Sequence, residues 1–194
     1  PTLMMRPEDK DYAVCCAIPV DAEGITYIYG RQASDLRKLD QSKEGRIDCG
    51  NCCYGGQECL VVFDDVFVPN ERVFMDSEFE FTGMMVEYFA GYHRQSYGGC
   101  KVGVGDAMIG AAAAMAEYNG TSKASHIKDK IVEMCHLNET MYSCGIACSA
   151  QGKKTDSGFY LVDILLANVC KQNVTRFPYE IARLLQDITG GLMV

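Results

Sequence analysis

The sequence predicts an α+β fold, with an antiparallel β segment over residues 1–77 and an antiparallel helical bundle over residues 78–194. Two observations carry this. Apolar residues recur with a period near two before about Phe79 and with a spacing of three to four after it. The two kinds of segment are also separated along the chain rather than alternating, which excludes a βαβ plan.

The elements follow in order. Tyr12–Val20 is a short apolar run, and Gly24–Gly30 carries Ile25, Tyr27 and Tyr29 at strand spacing. Residues 32–50 are polar and charged and read as a surface excursion. Cys59–Pro69 is the strongest strand signal, with a turn at Asp64-Asp65 and a stop at Pro69-Asn70. Met84, Met85, Tyr88, Phe89 and Tyr92 open a long helix over 83–118, stopped by Asn119-Gly120. Ser122 is the expected N-cap of the next helix, whose apolar face holds Ile127, Ile131, Met134, Met141 and Cys148. A loop at 151–158 leads to helical structure over 159–189, interrupted at Pro178 and ended by Gly190-Gly191.

Composition narrows the function. The 194 residues carry 18 basic and 26 acidic side chains, a net charge of −8. An acidic balance argues against a nucleic-acid or anionic-membrane partner, since neutralising phosphates takes a Lys/Arg surplus. The longest apolar run, Met108–Ala116, falls well short of the ~20 residues of a membrane span. The chain opens at Pro1 without an initiator Met, so an internal fragment of a longer protein is expected. Eleven cysteines at irregular spacing do not form a secreted disulfide framework. They read as reduced cytoplasmic thiols or as donors to a thiolate-bound metal centre.

The most informative stretch is Gly91-Tyr-His-Arg-Gln-Ser-Tyr-Gly-Gly-Cys-Lys101. On a helix, seven residues turn through about 700°, so His93 and Cys100 share a face, roughly 10 Å apart along the axis. Tyr97 lies on that face and Lys101 at its edge. Gly98 and Gly99 between them predict either a bulky group close to the backbone or a break in the helix, because interior glycine costs about 1 kcal/mol relative to Ala. His and Cys are both donors for soft or borderline metals. The competing reading is an ordinary helix-packing face, since a metal site needs three or four ligands.

Other candidates are weaker. Cys49-Gly-Asn-Cys52-Cys53 has knuckle spacing, but no second pair follows at zinc-ribbon distance. Cys144 and Cys148 fall on one apolar helix face, which favours packing. Glu58, after two glycines and before an apolar strand, is either an acid/base carboxylate or a solvated strand-end charge. His126 and His136 lie on a charged helix and read as surface residues.

Phe63-Asp-Asp-Val-Phe-Val-Pro69 resembles the strand that closes the middle β-domain of acyl-CoA dehydrogenases. The Ala-rich helix to Tyr118, the helix bearing Lys171 and the terminal Gly190-Gly191 resemble their helical domain. Tyr92-His-Arg-Gln-Ser-Tyr-Gly-Gly-Cys-Lys-Val-Gly-Val-Gly-Asp106 is similar to the cluster-binding helix of the 4-hydroxybutyryl-CoA dehydratase (vinylacetyl-CoA Δ-isomerase) branch. Gly55-Gly-Gln-Glu58, Ser125-His-Ile-Lys-Asp-Lys130 and Ala167-Asn-Val-Cys-Lys-Gln-Asn173 extend that resemblance over essentially the whole chain.

The resemblance implies part of a middle β-domain at 1–77 and a helical domain at 78–194, truncated at its C-terminal end. It implies FAD, a 4Fe-4S cluster held by three Cys and one His, a CoA-ester substrate and a cytoplasmic homo-oligomer, a tetramer in that family. The implied reaction converts 4-hydroxybutyryl-CoA to crotonyl-CoA by a radical route, with vinylacetyl-CoA isomerisation beside it. His93 is implied as cluster ligand and base, and Cys100 as the second ligand in this segment. Tyr97 is implied as an acid or hydrogen-bond donor near the leaving hydroxyl. Lys101 is implied to tune local charge, and Glu58 to act as acid/base or to orient substrate. Asp187, Thr189, Gly190 and Gly191 stand where the superfamily meets the flavin of a neighbouring subunit, with Asp where Gln is usual. The remaining ligands are expected upstream, so the segment alone is expected to be inactive.

Two rivals remain. A flavin-dependent aromatic monooxygenase of the 4-hydroxyphenylacetate type needs no cluster, so the His93/Cys100 pair separates it from the first reading. A non-catalytic structural or oligomerisation segment would suit the Met- and Ala-rich helices.

Overall fold

The computed structural model describes residues 4–29 and 59–190. Antiparallel β pairs precede a four-helix bundle, a mixed α+β architecture. The chain divides into two compact units, one formed by Arg6–Phe79 and the other by the chain from Glu80 onward together with Met4 and Met5.

Among the described residues, the first unit holds four short strands: β1 (Val14–Cys16), β2 (Ile25–Tyr29), β3 (Cys59–Phe63) and β4 (Val73–Asp76). β1 pairs with β4, and β2 pairs with β3 in a register that sets Ile25 opposite Phe63 and Tyr29 opposite Cys59. The expected Cys59–Pro69 strand is shorter than its apolar run. Asp65 adopts a left-handed φ of 50°, which turns the chain out of the ladder. Val66–Pro69 then stays outside the regular strands, and Phe67 is 84% exposed. Gly24 shows why the turn facing it is tight. Its φ is +87°, and a Cβ there would lie 2.2 Å from the Asp64 carbonyl oxygen.

The second unit comprises α1 (Thr82–Tyr118), α2 (Ser125–Ala150), a small hairpin of β5 (Lys153–Lys154) and β6 (Tyr160–Leu161), then α3 (Ile164–Val174) and α4 (Phe177–Ile188). α1 is one unbroken helix, about 55 Å long. It ends where expected, with Gly120 at φ +68°. α2 starts two residues later than a Ser122 cap implies. Its N-cap is Ala124, without a side-chain hydrogen bond, so tertiary packing rather than capping sets that start. The region read as helical from 159 begins instead with β6, and α3 starts only where the Asp163 carboxylate accepts from Leu166 N at 2.7 Å. Pro178 sits in the first turn of α4, the one helical place that tolerates its missing N–H.

Met134 and Met141 of α2 and Ile181, Leu184, Leu185 and Ile188 of α4 fill the bundle core. α1 contributes mostly small residues. Gly91, Gly98, Gly105 and Ala112 recur every seven residues, and all are buried. A Cβ on Gly98 would lie 2.7 Å from Gly145 Cα of α2, so the two backbones nearly touch. Gly98 is therefore explained by a close helix crossing, not by a bulky group or a helix break. Gly99 meets nothing within 4 Å. Gly105 makes room for Asn138, whose Oδ1 would be 2.0 Å from an added Cβ. Asn138 Nδ2 donates to Asp106 Oδ1 at 2.7 Å and to the Val102 carbonyl at 3.3 Å. Among the described residues, no helix is long and apolar enough to cross a membrane.

Candidate functional site

The packing of α1 determines which stripe is left open. The Gly91/Gly98/Gly105 line faces the bundle, so His93 and Cys100, two positions further round, are exposed. The i, i+4 spacing then builds a ladder along the helix surface. Phe89 stacks on His93 with ring centroids 5.8 Å apart and an interplanar angle of 8°. His93 meets Tyr97 edge-on at 4.9 Å. Tyr97 Oη lies 2.8 Å from His93 Nε2, and either group can hold the proton of that bond. Lys101 Nζ lies 6.0 Å from the Tyr97 ring centroid. Contacts therefore link His93, Tyr97 and Lys101, and the unbroken helix puts Cys100 on the same face by its pitch.

Neighbouring elements hold this stripe. Tyr97 is half-buried and packs against the bundle core. Arg94 donates to Asn168 Oδ1 of α3, and Tyr92 Oη donates to the Tyr160 carbonyl of β6. Gln95 Nε2 donates to Ser149 Oγ of α2 at 2.8 Å. Lys171 of α3 also reaches the Tyr97 ring, with Nζ 4.4 Å from its centroid. Sequence reasoning missed Lys171 as a site residue because it lies 74 positions from Tyr97 and no local spacing links them. It also missed the seven-residue recurrence of Gly91, Gly98 and Gly105, a signal legible in the sequence.

Behind the helix crossing lies a second sulfur group. Cys148 Sγ donates to the Asp163 carbonyl at 3.2 Å, and Cys144 Sγ to that of Leu166 at 3.6 Å. Burial pushes the Cys170 thiol up to about 11, with the nearby Cys144 and Cys148 adding to the rise. Burial also raises Cys144 and Cys148. These are neutral, hydrogen-bonded packing thiols, as their place on the apolar face suggests.

The remaining candidates lie elsewhere. Glu58, Gly191 and the Cys49/Cys52/Cys53 group fall outside the described residues. His126 and His136 are exposed on α2. Asp187 forms an ion pair with Lys130 at 2.5 Å. That hydrogen bond and charge, with help from Arg183 and His126, hold its carboxyl below the usual range. Thr189 is buried and its Oγ1 donates to the Gln186 carbonyl at 2.9 Å. Gly190 closes α4 at φ +71°. The Asp187 carboxylate and the Thr189 hydroxyl are thus both engaged internally. Among the described residues, no hydrogen bond, ion pair or ring contact joins this edge to the His93 ladder.

Among the described residues, no three His, Cys, Asp or Glu side chains converge as a metal set. His93 and Cys100 fit half of a four-ligand cluster, one imidazole and one exposed thiol on the same stripe.

The N-terminal model of the 4-hydroxyphenylacetate 3-hydroxylase family matches residues 1–75, and its C-terminal model matches residues 82–194. The chain is 66% identical, over its whole length, to a 4-hydroxybutyryl-CoA dehydratase/vinylacetyl-CoA-Δ-isomerase of Clostridium aminobutyricum, of which it covers 39%. It superposes with a TM-score of 0.91 and 59% identity on an oxygen-tolerant archaeal 4-hydroxybutyryl-CoA dehydratase from N. maritimus, covering all of this chain and 38% of that one. The oxygenase component of 4-hydroxyphenylacetate 3-monooxygenase, solved with FAD, shares the fold at a TM-score of 0.80 and 24% identity, over 95% of this chain and 38% of that one. The chain thus spans about two fifths of the relatives it matches. With both family models matched in chain order, it belongs to the 4-hydroxyphenylacetate 3-hydroxylase family.

Proposed function

We propose that the chain is the middle-to-helical part of a flavin- and 4Fe-4S-dependent dehydratase acting on 4-hydroxybutyryl-CoA, with vinylacetyl-CoA isomerase activity beside it. The observation that carries this is the His93/Tyr97/Cys100/Lys101 stripe, in a chain 66% identical to an enzyme of that name. On this reading residues 1–77 are part of a middle β-domain, and 78–194 form a helical domain. The longer protein is a cytoplasmic homo-oligomer.

His93 and Cys100 hold the cluster, with the other ligands supplied from outside this chain. Bound there, a cluster supplies an iron Lewis acid for a leaving hydroxyl, and a flavin supplies one-electron chemistry. This chain's residues handle the protons. Tyr97 holds one at Oη, 2.8 Å from His93 Nε2, so a proton can pass between phenol and imidazole. Lys101 places positive charge at the open edge of the stripe. Glu58 serves as acid/base or substrate-orienting carboxylate. Asp187, Thr189, Gly190 and Gly191 form the flavin-facing edge of the longer protein.

The test is to prepare the longer protein without oxygen and measure iron, sulfide and crotonyl-CoA formation from 4-hydroxybutyryl-CoA. Iron, sulfide and turnover together are expected. A colourless or merely yellow protein that hydroxylates 4-hydroxyphenylacetate would overturn the proposal in favour of the monooxygenase reading, which the family models favour by name.

A further inference from the structure

Lys171 stands in the last turn of α3, where any cation complements the helix dipole. Its side chain does more than that. It is half-buried and forms no ion pair with a described carboxylate. Its ammonium instead crosses to α1 and lies 4.4 Å from the centroid of the Tyr97 ring. Lys101, one turn along α1, reaches the same ring only at 6.0 Å, the outer limit of a cation–π contact. Among the described residues, the Tyr97 hydroxyl makes one hydrogen bond, to His93 Nε2, and the ring meets His93 edge-on. The ring is thus held by His93 at its polar end and by Lys171 on its face.

We propose that Lys171 is a positioning residue for the Tyr97–His93 pair. The ammonium on the π face keeps the ring in the one orientation that presents Oη to Nε2. Its attraction to the ring quadrupole is directional, so a neutral side chain of the same length packs alike but does not fix the ring. The functional side of this inference rests on the His93 stripe being the reaction centre. The geometric side does not.

The experiment compares the longer, cofactor-loaded protein with its Lys171→Met and Lys171→Arg variants. The Met variant keeps the stem and loses the charge, and the Arg variant keeps the charge. Crystal structures read the Oη–Nε2 contact, and kinetics read kcat and KM separately. In Lys171→Met the hydroxyl is expected to leave Nε2, and kcat to fall about fivefold, the worth of one cation–π contact. KM is expected to stay within roughly twofold and iron content to stay at the parental level. Lys171→Arg is expected to restore both contact and turnover. Should the Met variant fail to accumulate, Lys171→Gln makes the same comparison. A Tyr97 hydroxyl still seated on His93 without the charge overturns the proposal, as does an Arg variant as impaired as the Met variant. If the parent protein has no dehydratase activity, the functional reading fails, while the Oη–Nε2 comparison still decides the role of Lys171.

Discussion

Two stripes of α1 carry key residues at the same seven-residue interval and meet opposite surroundings. Gly91, Gly98 and Gly105 face inward, where a Cβ on any of them would come within 2.5, 2.7 and 2.0 Å of a neighbouring atom. His93 and Cys100 face outward and are exposed, as are Gly99, Gly103 and Gly110, which meet nothing within 4 Å. The inner stripe has given up side-chain volume so that α2 and α3 can approach. Outside, His93 and Cys100 keep their side chains, and nothing in the described fold buries them. A glycine thus has opposite energetic meaning on the two sides of one helix. Inside, it relieves a steric clash. Outside, it costs backbone entropy without return in this chain.

That contrast can be broken at several points. The largest effect is expected at Cys100→Ala in the longer protein. Iron content and turnover should drop, turnover by about 100-fold, which is the scale of losses at metal sites. A parental iron content would remove Cys100 from the ligand set. Next comes Gly98→Ala, which pushes a methyl into the Gly145 backbone. Urea unfolding should show a loss of about 2 kcal/mol, the scale of overpacking, even after the better helix propensity of Ala. A neutral result would mean that the crossing can open freely.

Tyr97→Phe keeps the ring on Lys171 and removes only the hydroxyl that meets His93. Turnover should fall about tenfold, the equivalent of roughly 1.4 kcal/mol and one good hydrogen bond, with folding intact. Unchanged turnover would leave Tyr97 as a packing residue. The smallest effect has the opposite sign. Gly110→Ala on the open stripe should raise stability by about 0.5–1 kcal/mol, read as a higher unfolding midpoint. A loss instead would show that the outer stripe is as crowded as the inner one.

Much of this was legible from local sequence. The change of period near Phe79, the stop at Asn119-Gly120 and the end at Gly190 are local signals, and the structure has α1 and α4 ending there. The sharing of one face by His93, Tyr97 and Cys100 follows from helix pitch alone once the helix is assigned. Other readings failed where local signals compete with distant partners. The apolar run to Pro69 looks like one strand, yet a left-handed Asp65 ends β3 at Phe63. Ser122 looks like a cap, yet α2 begins at Ser125 without one. Gly98-Gly99 looks like a break or a docking point for something bulky, and only the second helix shows that Gly98 answers to Gly145.

By itself the sequence determined what is periodic: two classes of element, their order, and which residues of α1 share a face, because dihedral preferences and helix pitch act over a few residues. Tertiary structure alone decided which face of α1 is inside, since that depends on how closely Gly145 and Asn138 of α2 and Ile164 of α3 approach its glycines. It also decided that Lys171, 74 residues from Tyr97, lies on the ring that meets His93. A contact between residues so far apart costs chain entropy that no local spacing can record, and only the packed bundle offsets it.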